Sequence, residues 1–382
     1  MKILLACQQS PHTYAIPAYG FWRTYFVAGL REAGHEVIEA TDVDWAHGLL
    51  PLTSEKRGCW RDGAWSRTLA LARDTRGIDL FLGYLYPQQI EPAAVRLLHD
   101  MGIPTVHFFC DHVREYRRLP QTFAPFDLHW VPELAAMPLY AARDWPALFA
   151  PMPCWVPPAS RMVPDDDQPA ITFVGRNDPL RAALLTQVVH SGLPLAVYGA
   201  GWAPNASVPV PAPPSWRTRI ADWADYYRRQ GPGPTWRRLA ARYHRRVPLP
   251  ATDFTPWAHP SPSDDAYATV LAHSAVTLGI NRFPDPDASP ALPSTYSRLR
   301  DIEAPMLGAC YLTEWAPELE ELYELGTEIE VYRDAPELVS KARSLLDDPG
   351  RRRALRVAGQ RRALADHNLG CTVTRLAKFL GL

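Results

Sequence analysis

The chain lacks the features that mark membrane, secreted or nucleic-acid-binding classes. None of its apolar runs reaches the roughly 18 residues of a membrane-spanning helix. Its six cysteines, Cys7, Cys59, Cys110, Cys154, Cys310 and Cys371, never fall in C-x-x-C spacing, so neither a zinc centre nor a disulfide framework is implied. A reducing, cytoplasmic setting is the default expectation. Net charge is −1, so there is no global basic field to attract nucleic acid. Internal repeats and coiled-coil heptads are absent. The opening M-K-I-L-L-A-C imitates a lipoprotein cleavage box, but the apolar run before Cys7 is far shorter than the roughly 7 to 15 residues of a signal core, and it reads as a strand. The strand runs into C-Q-Q-S-P-H, not G-x-G-x-x-G, which argues against an NAD-dependent oxidoreductase.

What is present is an α/β rhythm, repeated twice. A chain of 382 residues exceeds what one hydrophobic core usually serves. In the first half, apolar strand-like runs at 2–6, 35–40, 78–83 and 104–109 alternate with helical spacing at 19–34 and 92–101, the pattern of a parallel doubly wound sheet. A proline-rich passage reads as a linker over 151–169, dividing a first domain, 1–150, from a second, 170–362. The second opens with I-T-F-V-G-R-N and continues with a helix at 179–191, a strand at 195–198, a helix at 264–273 and a strand at 275–280. Between 204 and 262 the rhythm breaks into an insertion rich in Pro, Trp and Arg. Proline totals 39, about twice the usual share.

The most informative stretch is 294–367. It reads S-T-Y-S-R-L-R-D-I-E-A-P-M-L-G-A-C-Y-L-T-E, then E-I-E-V-Y-R-D-A-P-E-L, then D-P-G-R-R-R and A-D-H-N. This order of polar helix start, acid on a helix, glycine, apolar strand, helix and second strand is half of a nucleotide-binding domain. It resembles the second domain of GT-B glycosyltransferases, most closely the spore-maturation, CgeB-like group. The R-x-F-E-x-x-A-x-G block of that group is matched by Arg300, Ile302, Glu303 and Gly308, and its strand end by Thr313 and Glu314. Glu328, Ile329, Tyr332, Asp334, Glu337 and Leu338 are similar to its E-E-I-x-x-F-x-D-x-x-E-L block, and His367 and Arg375 echo its terminal motif. The resemblance covers the C-terminal 200 or so residues well and the first half loosely. It implies two Rossmann-like doubly wound domains facing across a cleft, and a C-terminal segment, 363–382, that returns to the first domain. The implied activity is metal-independent transfer of a sugar from a nucleotide-diphosphate sugar to an acceptor hydroxyl on a glycan, a lipid-linked carrier or a small molecule. No cofactor is implied.

Such a reaction needs ribose acceptors, positive charge for the diphosphate leaving group, and room for the base. Glu303 suits the ribose hydroxyls, because charge-assisted hydrogen bonds are each worth about 1.5 to 3 kcal/mol. GT-B enzymes often carry a second acid eight positions earlier, where this chain has Thr295. Thr295 and Ser297 also suit helix N-caps, whose amides could hold phosphate. Arg298 and Arg300, then Arg282 beside Asn281, and Arg176 are candidates for the diphosphate. Gly175 and Gly199, at strand ends, would admit the nucleotide or simply make turns. On the acceptor side an inverting enzyme needs a base, for which Asp111, His12 and His112 sit beyond strand ends. The D-x-D strings Asp42–Asp44 and Asp285–Asp287 suggest metal but read as solvated loops.

The insertion carries nine arginines between Ser215 and Arg246, with tryptophans. Two readings stay open for it: a peripheral contact with the inner face of a membrane or a lipid-linked acceptor, or a pair of surface helices stapled by aromatics. A non-catalytic sugar- or nucleotide-binding protein of the same fold is the alternative function.

Overall fold

The computed structural model describes residues 1–14, 20–203, 216–233, 235–236, 252–285 and 293–382. The insertion at 204–215, 234 and 237–251, residue Tyr19 of the first predicted helix, and Asp287 of the second D-x-D string lie outside them. The chain forms two compact units, one of Met1–Trp155 with His367–Leu382, the other of Val156–Asp366.

In chain order the first unit holds β1 (Lys2–Cys7), α1 (Gly20–Glu32), β2 (Glu36–Glu39), α2 (Ser54–Asp74), β3 (Leu80–Tyr84), α3 (Pro92–Asp100), β4 (Thr105–Phe108), α4 (His112–Glu115), β5 (Leu128–Val131), α5 (Met137–Ala141) and β6 (Ala147–Phe149). The second holds β7 (Gln168–Val174), α6 (Pro179–His190), β8 (Leu195–Tyr198), α7 (Trp216–Gln230), β9 (Ala258–His259), α8 (Asp264–His273), β10 (Ser274–Gly279), α9 (Arg300–Met306), β11 (Tyr311–Glu314), α10 (Leu319–Leu322), β12 (Glu330–Tyr332), α11 (Ala335–Asp347) and α12 (Pro349–Asp366). The last helix, α13 (Leu369–Leu380), belongs to the first unit.

Each unit is a six-stranded parallel sheet. The first has order β2-β1-β3-β4-β5-β6 and the second β12-β11-β10-β7-β8-β9. These are the doubly wound folds expected from the alternation. The strands read as continuous apolar runs because helices cover both faces: every residue of β3, β4 and β10 is buried. Helix starts follow local chemistry. Asp178 accepts from the amides of Leu180 and Arg181 with Pro179 in the first turn of α6, and Asp334 caps α11 with Pro336 behind it. The Asp334 and Glu337 pair of the motif is therefore a helix cap.

In the first unit, alternation along β4 and β5 sends Phe108 and Trp130 to the α1 face, where Trp22 and Phe26 meet them. Gly29 of α1 admits Leu369 of α13, whose Cδ1 lies 2.5 Å from where a Cβ would stand. The opposite face of β4 and β5 carries His107 and His129, packed among Phe123, Phe126 and Tyr140. His107 Nε2 meets the Leu85 carbonyl oxygen at 2.9 Å, whereas neither ring nitrogen of His129 has a partner among the described residues. Burial pushes the His107 pKa down to about 3 and holds His129 well below the ordinary histidine range. Among the described residues no helix is long and apolar enough to cross a membrane.

A depressed histidine pKa means that the unfolded chain takes up protons which the folded one does not. The first unit therefore keeps its full stability above about pH 6.5 and loses it on acidification, by up to about 1.4 kcal/mol per pH unit for each such histidine. His129→Phe is expected to keep the fold at pH 7.5 and flatten the loss between pH 6.5 and 5, measured by urea unfolding across that range.

Candidate active site

In doubly wound sheets, ligands bind beyond the carboxyl ends of the strands where the strand order reverses. In the second unit that point lies between β7 and β10. Beyond β7 come Gly175 and Arg176, and beyond β10 come Asn281 and Arg282. Arg298 lies in the segment that leads into α9, and Arg300 and Glu303 lie in the first turn of that helix. Arg300 Nη1 donates to the Val174 carbonyl at 2.7 Å, which fixes the start of α9 against the end of β7. Its guanidinium stands over the Tyr267 ring of α8, 5.4 Å from the centroid, and the Tyr267 hydroxyl donates to the buried carboxylate of Glu303.

Beneath these residues lie two buried carboxylates. Asp301 is fully buried and accepts from Tyr311 Oη (2.8 Å), Thr313 Oγ1 (2.9 Å), Asn281 Nδ2 (3.0 Å) and the Arg298 amide (2.8 Å). Burial raises its pKa, and the hydrogen bonds from Arg298, Tyr311, Thr313 and Ser297 pull it part of the way back. Glu314, at the end of β11, accepts from the amides of Asn281 (3.1 Å) and Arg282 (3.0 Å) and holds the Arg282 guanidinium at 2.8 and 2.6 Å. Gly279 packs here because Thr313 Oγ1 and the Tyr311 hydroxyl each lie 2.2 Å from the place of a Cβ.

Arg181 of α6 joins the group. It pairs with Asp178 at 3.1 Å, donates to the Arg176 carbonyl at 2.9 Å, and lies over the Phe173 ring. Burial lowers its pKa first; Asp178 opposes that, and the positive charges of Arg298 and Arg300 lower it further. The guanidinium groups of Arg298 and Arg300 are thus close enough for their charge to act on Arg181. Arg298 Nη2 donates to the Arg282 carbonyl at 3.0 Å, while its buried Nε has no partner among the described residues. A buried N–H without a partner beside two like charges is suited to an anion.

Two expectations change. The motif does not start a helix at Thr295 or Ser297. Thr295 bridges Arg282 in antiparallel fashion, and the Ser297 amide is taken by Glu318 Oε2 at 2.9 Å, so pairing with the segment after β10 outcompetes helix formation until Arg300. Phosphate bound by amides at that helix start loses its basis. The second change concerns the glycines. A Cβ on Gly199, at φ +136°, would stand 2.4 Å from the Gly175 oxygen, and one on Gly175 would meet Phe173. Both positions thus serve close packing of the β7 and β8 ends. Arg176 is exposed. Arg181 and Asp301 were missed; the D-P-x-R start of α6 was the readable signal for the former.

In the first unit, Asp111 flanks α4 and pairs with Arg114 at 3.2 Å. His112 is wholly buried, its Nε2 2.7 Å from the Tyr140 hydroxyl, and Glu133 accepts from the amides of His112 and Val113. His12 is exposed after β1, its ring edge-on to Tyr14 at 6.2 Å. A group not foreseen stands beside it. Tyr14 Oη donates to Asp44 Oδ2 at 2.6 Å and lies 3.2 Å from His47 Nδ1, and the His47 amide donates to Asp44 Oδ1 at 3.0 Å. Asp44 is therefore engaged and half-buried, unlike the exposed Asp42, which pairs with Arg67. Among the described residues no group of three His, Cys, Asp or Glu side chains could hold a metal ion. Asp285 instead accepts from the Ser294 hydroxyl at 2.7 Å.

The glycosyl transferase-like family model matches residues 181–378, which include Arg181, Asn281, Arg282, Arg298, Arg300 and Glu303 of this second-unit site. The chain belongs to that glycosyl transferase-like family. No curated protein sequence matches it. Among solved structures it is similar to sucrose-phosphate synthase from Thermosynechococcus elongatus, at 15% identity and a TM-score of 0.58, covering 99% of this chain and 98% of that one. HepE of Anabaena, solved with UDP-glucose, matches at 10% identity and a TM-score of 0.53 over 100% and 99% of the two chains. The DNA-modifying enzyme β-glucosyltransferase matches at 10% identity and 0.51 over the whole of both chains. At such identities the likeness establishes the fold, which is GT-B.

Asp301→Ala would strand the donors of Tyr311, Thr313 and the Arg298 amide in this family member. We expect it to cost about 3 to 5 kcal/mol of stability in urea unfolding, against less than about 0.5 kcal/mol for Thr295→Ala.

Proposed function

We propose that the protein is a metal-independent glycosyltransferase that moves a sugar from a nucleotide-diphosphate sugar to an acceptor hydroxyl. The observation that carries this reading is the convergence of Arg181, Arg298 and Arg300 beside Glu303 at the strand-order reversal of the second unit. In this reading the arginines neutralise the diphosphate as it departs, Glu303 takes the ribose hydroxyls, and Asn281 and Arg282 hold the wall of the pocket. Positive charge aimed at a leaving group in a water-poor site is worth several kcal/mol. HepE is solved with UDP-glucose, and the β-glucosyltransferase takes uridine diphosphoglucose as substrate, so a uridine diphosphate sugar is the first donor to try. The Arg300, Glu303 and Gly308 block supports membership of the CgeB-like group. Exposed Ile220, Tyr227 and Trp236 near the arginines of α7 support a peripheral contact with a lipid-linked acceptor.

Calorimetry with UDP, GDP, CMP, dTDP and their sugars tests the donor half. Tight binding of one diphosphate is expected, weakened at least about tenfold in Glu303→Ala and in Arg298→Ala, and unchanged by EDTA. Equal binding by parent and variants would remove the donor site from this position.

A further inference from the structure

Tyr267 stands between the two kinds of group that the donor site needs. Its hydroxyl donates to Glu303 Oε2, and its ring lies under the Arg300 guanidinium, which is 5.4 Å from the ring centroid. The three side chains come from two helices whose starts are fixed independently. Ser263 caps α8 by accepting from the Ala266 amide at 3.3 Å, and the Tyr267 amide closes the first turn on the Ser263 carbonyl at 2.9 Å. Arg300 and Glu303, three positions apart, share one face of α9, and Arg300 Nη1 ties that face to the Val174 carbonyl at the end of β7. All of these residues belong to the second unit.

A tyrosine hydroxyl carries a single proton and an ionised carboxylate only accepts, so the bond runs from Tyr267 to Glu303. Glu303 is 5% exposed, and a carboxylate so far from water keeps its place through donors. A carboxylate offers about four acceptor positions, so one bond from Tyr267 sets its orientation and is compatible with further donors. Arg300, of opposite charge and on the same helix face, pulls on that carboxylate. Tyr267 opposes the pull twice, by anchoring Oε2 and by offering its ring face to the guanidinium. The acid and the arginine are thereby held for separate tasks instead of neutralising each other.

We propose that Tyr267 is a positioning residue of the donor site: its hydroxyl holds the Glu303 carboxylate in place for the ribose hydroxyls, while its ring keeps Arg300 turned to the diphosphate. This rests on the glycosyltransferase reading above and involves the second unit alone. Tyr267 acts through preorganisation. The carboxylate is oriented before the nucleotide arrives, so less side-chain freedom is lost on binding. A residue that works through Glu303 leaves a signature that a packing role does not: its effect vanishes when either the ribose hydroxyls or Glu303 is removed.

The test uses the full chain and calorimetry with the ribo and 2′,3′-dideoxy forms of the nucleoside diphosphate that the screen selects, UDP first. Tyr267→Phe keeps the ring under Arg300 and removes only the hydroxyl. It is expected to weaken binding of the ribo form about tenfold and to leave the dideoxy form within about twofold of the parent. In a Glu303→Ala background the same change should alter affinity for the ribo form by less than about twofold. Parent-like binding of the ribo form by Tyr267→Phe, an equal loss for the ribo and dideoxy forms, or a loss that persists in full beside Glu303→Ala would each overturn the assignment. If Glu303→Ala itself binds the ribo form as the parent does, the donor site lies elsewhere and the role of Tyr267 falls with it. A loss in Glu303→Ala with none in Tyr267→Phe leaves the donor site standing and removes only Tyr267 from it.

Discussion

The second unit is organised around negative charge taken out of water. Asp301 and Glu314 are both buried beside the ends of β10 and β11, where a carboxylate is stable only if almost every lone pair finds a donor. The donors come from segments far apart in the chain: Asn281 and Arg282 after β10, Arg298 before α9, Tyr311 and Thr313 on β11. Satisfying the two acids therefore fixes the backbone of each segment at once. Arg282 spends its charge on Glu314, while Arg298, Arg300 and Arg181 are left to crowd together above. The positive face of the site follows from where the buried acids draw the chain.

The arginines of the second unit also fall into two groups. Arg356 of α12 is only 2% exposed, and its guanidinium donates to the carbonyls of Ala272, Ser274 and Gly308, at the opposite ends of the strands. Arg352 beside it is paired with Asp167. The D-P-G-R-R-R stretch thus supplies architecture. Arg298 and Arg300 instead bring positive charge to bear on Arg181, a repulsion that the proposed diphosphate would relieve.

Much of the fold was legible because buried parallel strands are continuous apolar runs, and the strands after 2, 78, 104 and 275 stood out for that reason. Strand ends were legible too, so Asn281 and Arg282 fall at the reversal of strand order. What failed was local propensity read without partners. Ser294 to Ser297 has the composition of a helix start, but Thr295 pairs with Arg282 and the Ser297 amide with Glu318, contacts that no local pattern contains. Asp301 sits two positions from Glu303 and was overlooked, because its hydrogen bonds come from strands before and after it. Tyr14 and His47 are 33 positions apart, and only the adjacency of β1 and β2 brings them together.

The most direct measurement is a crystal structure with the nucleoside diphosphate that binds most tightly. The account predicts phosphate oxygens within hydrogen-bond reach of Arg298 Nε and of the Arg181 or Arg300 guanidinium, with the ribose hydroxyls on Glu303. Phosphates bound away from all three arginines, or a ribose held elsewhere than on Glu303, would contradict it.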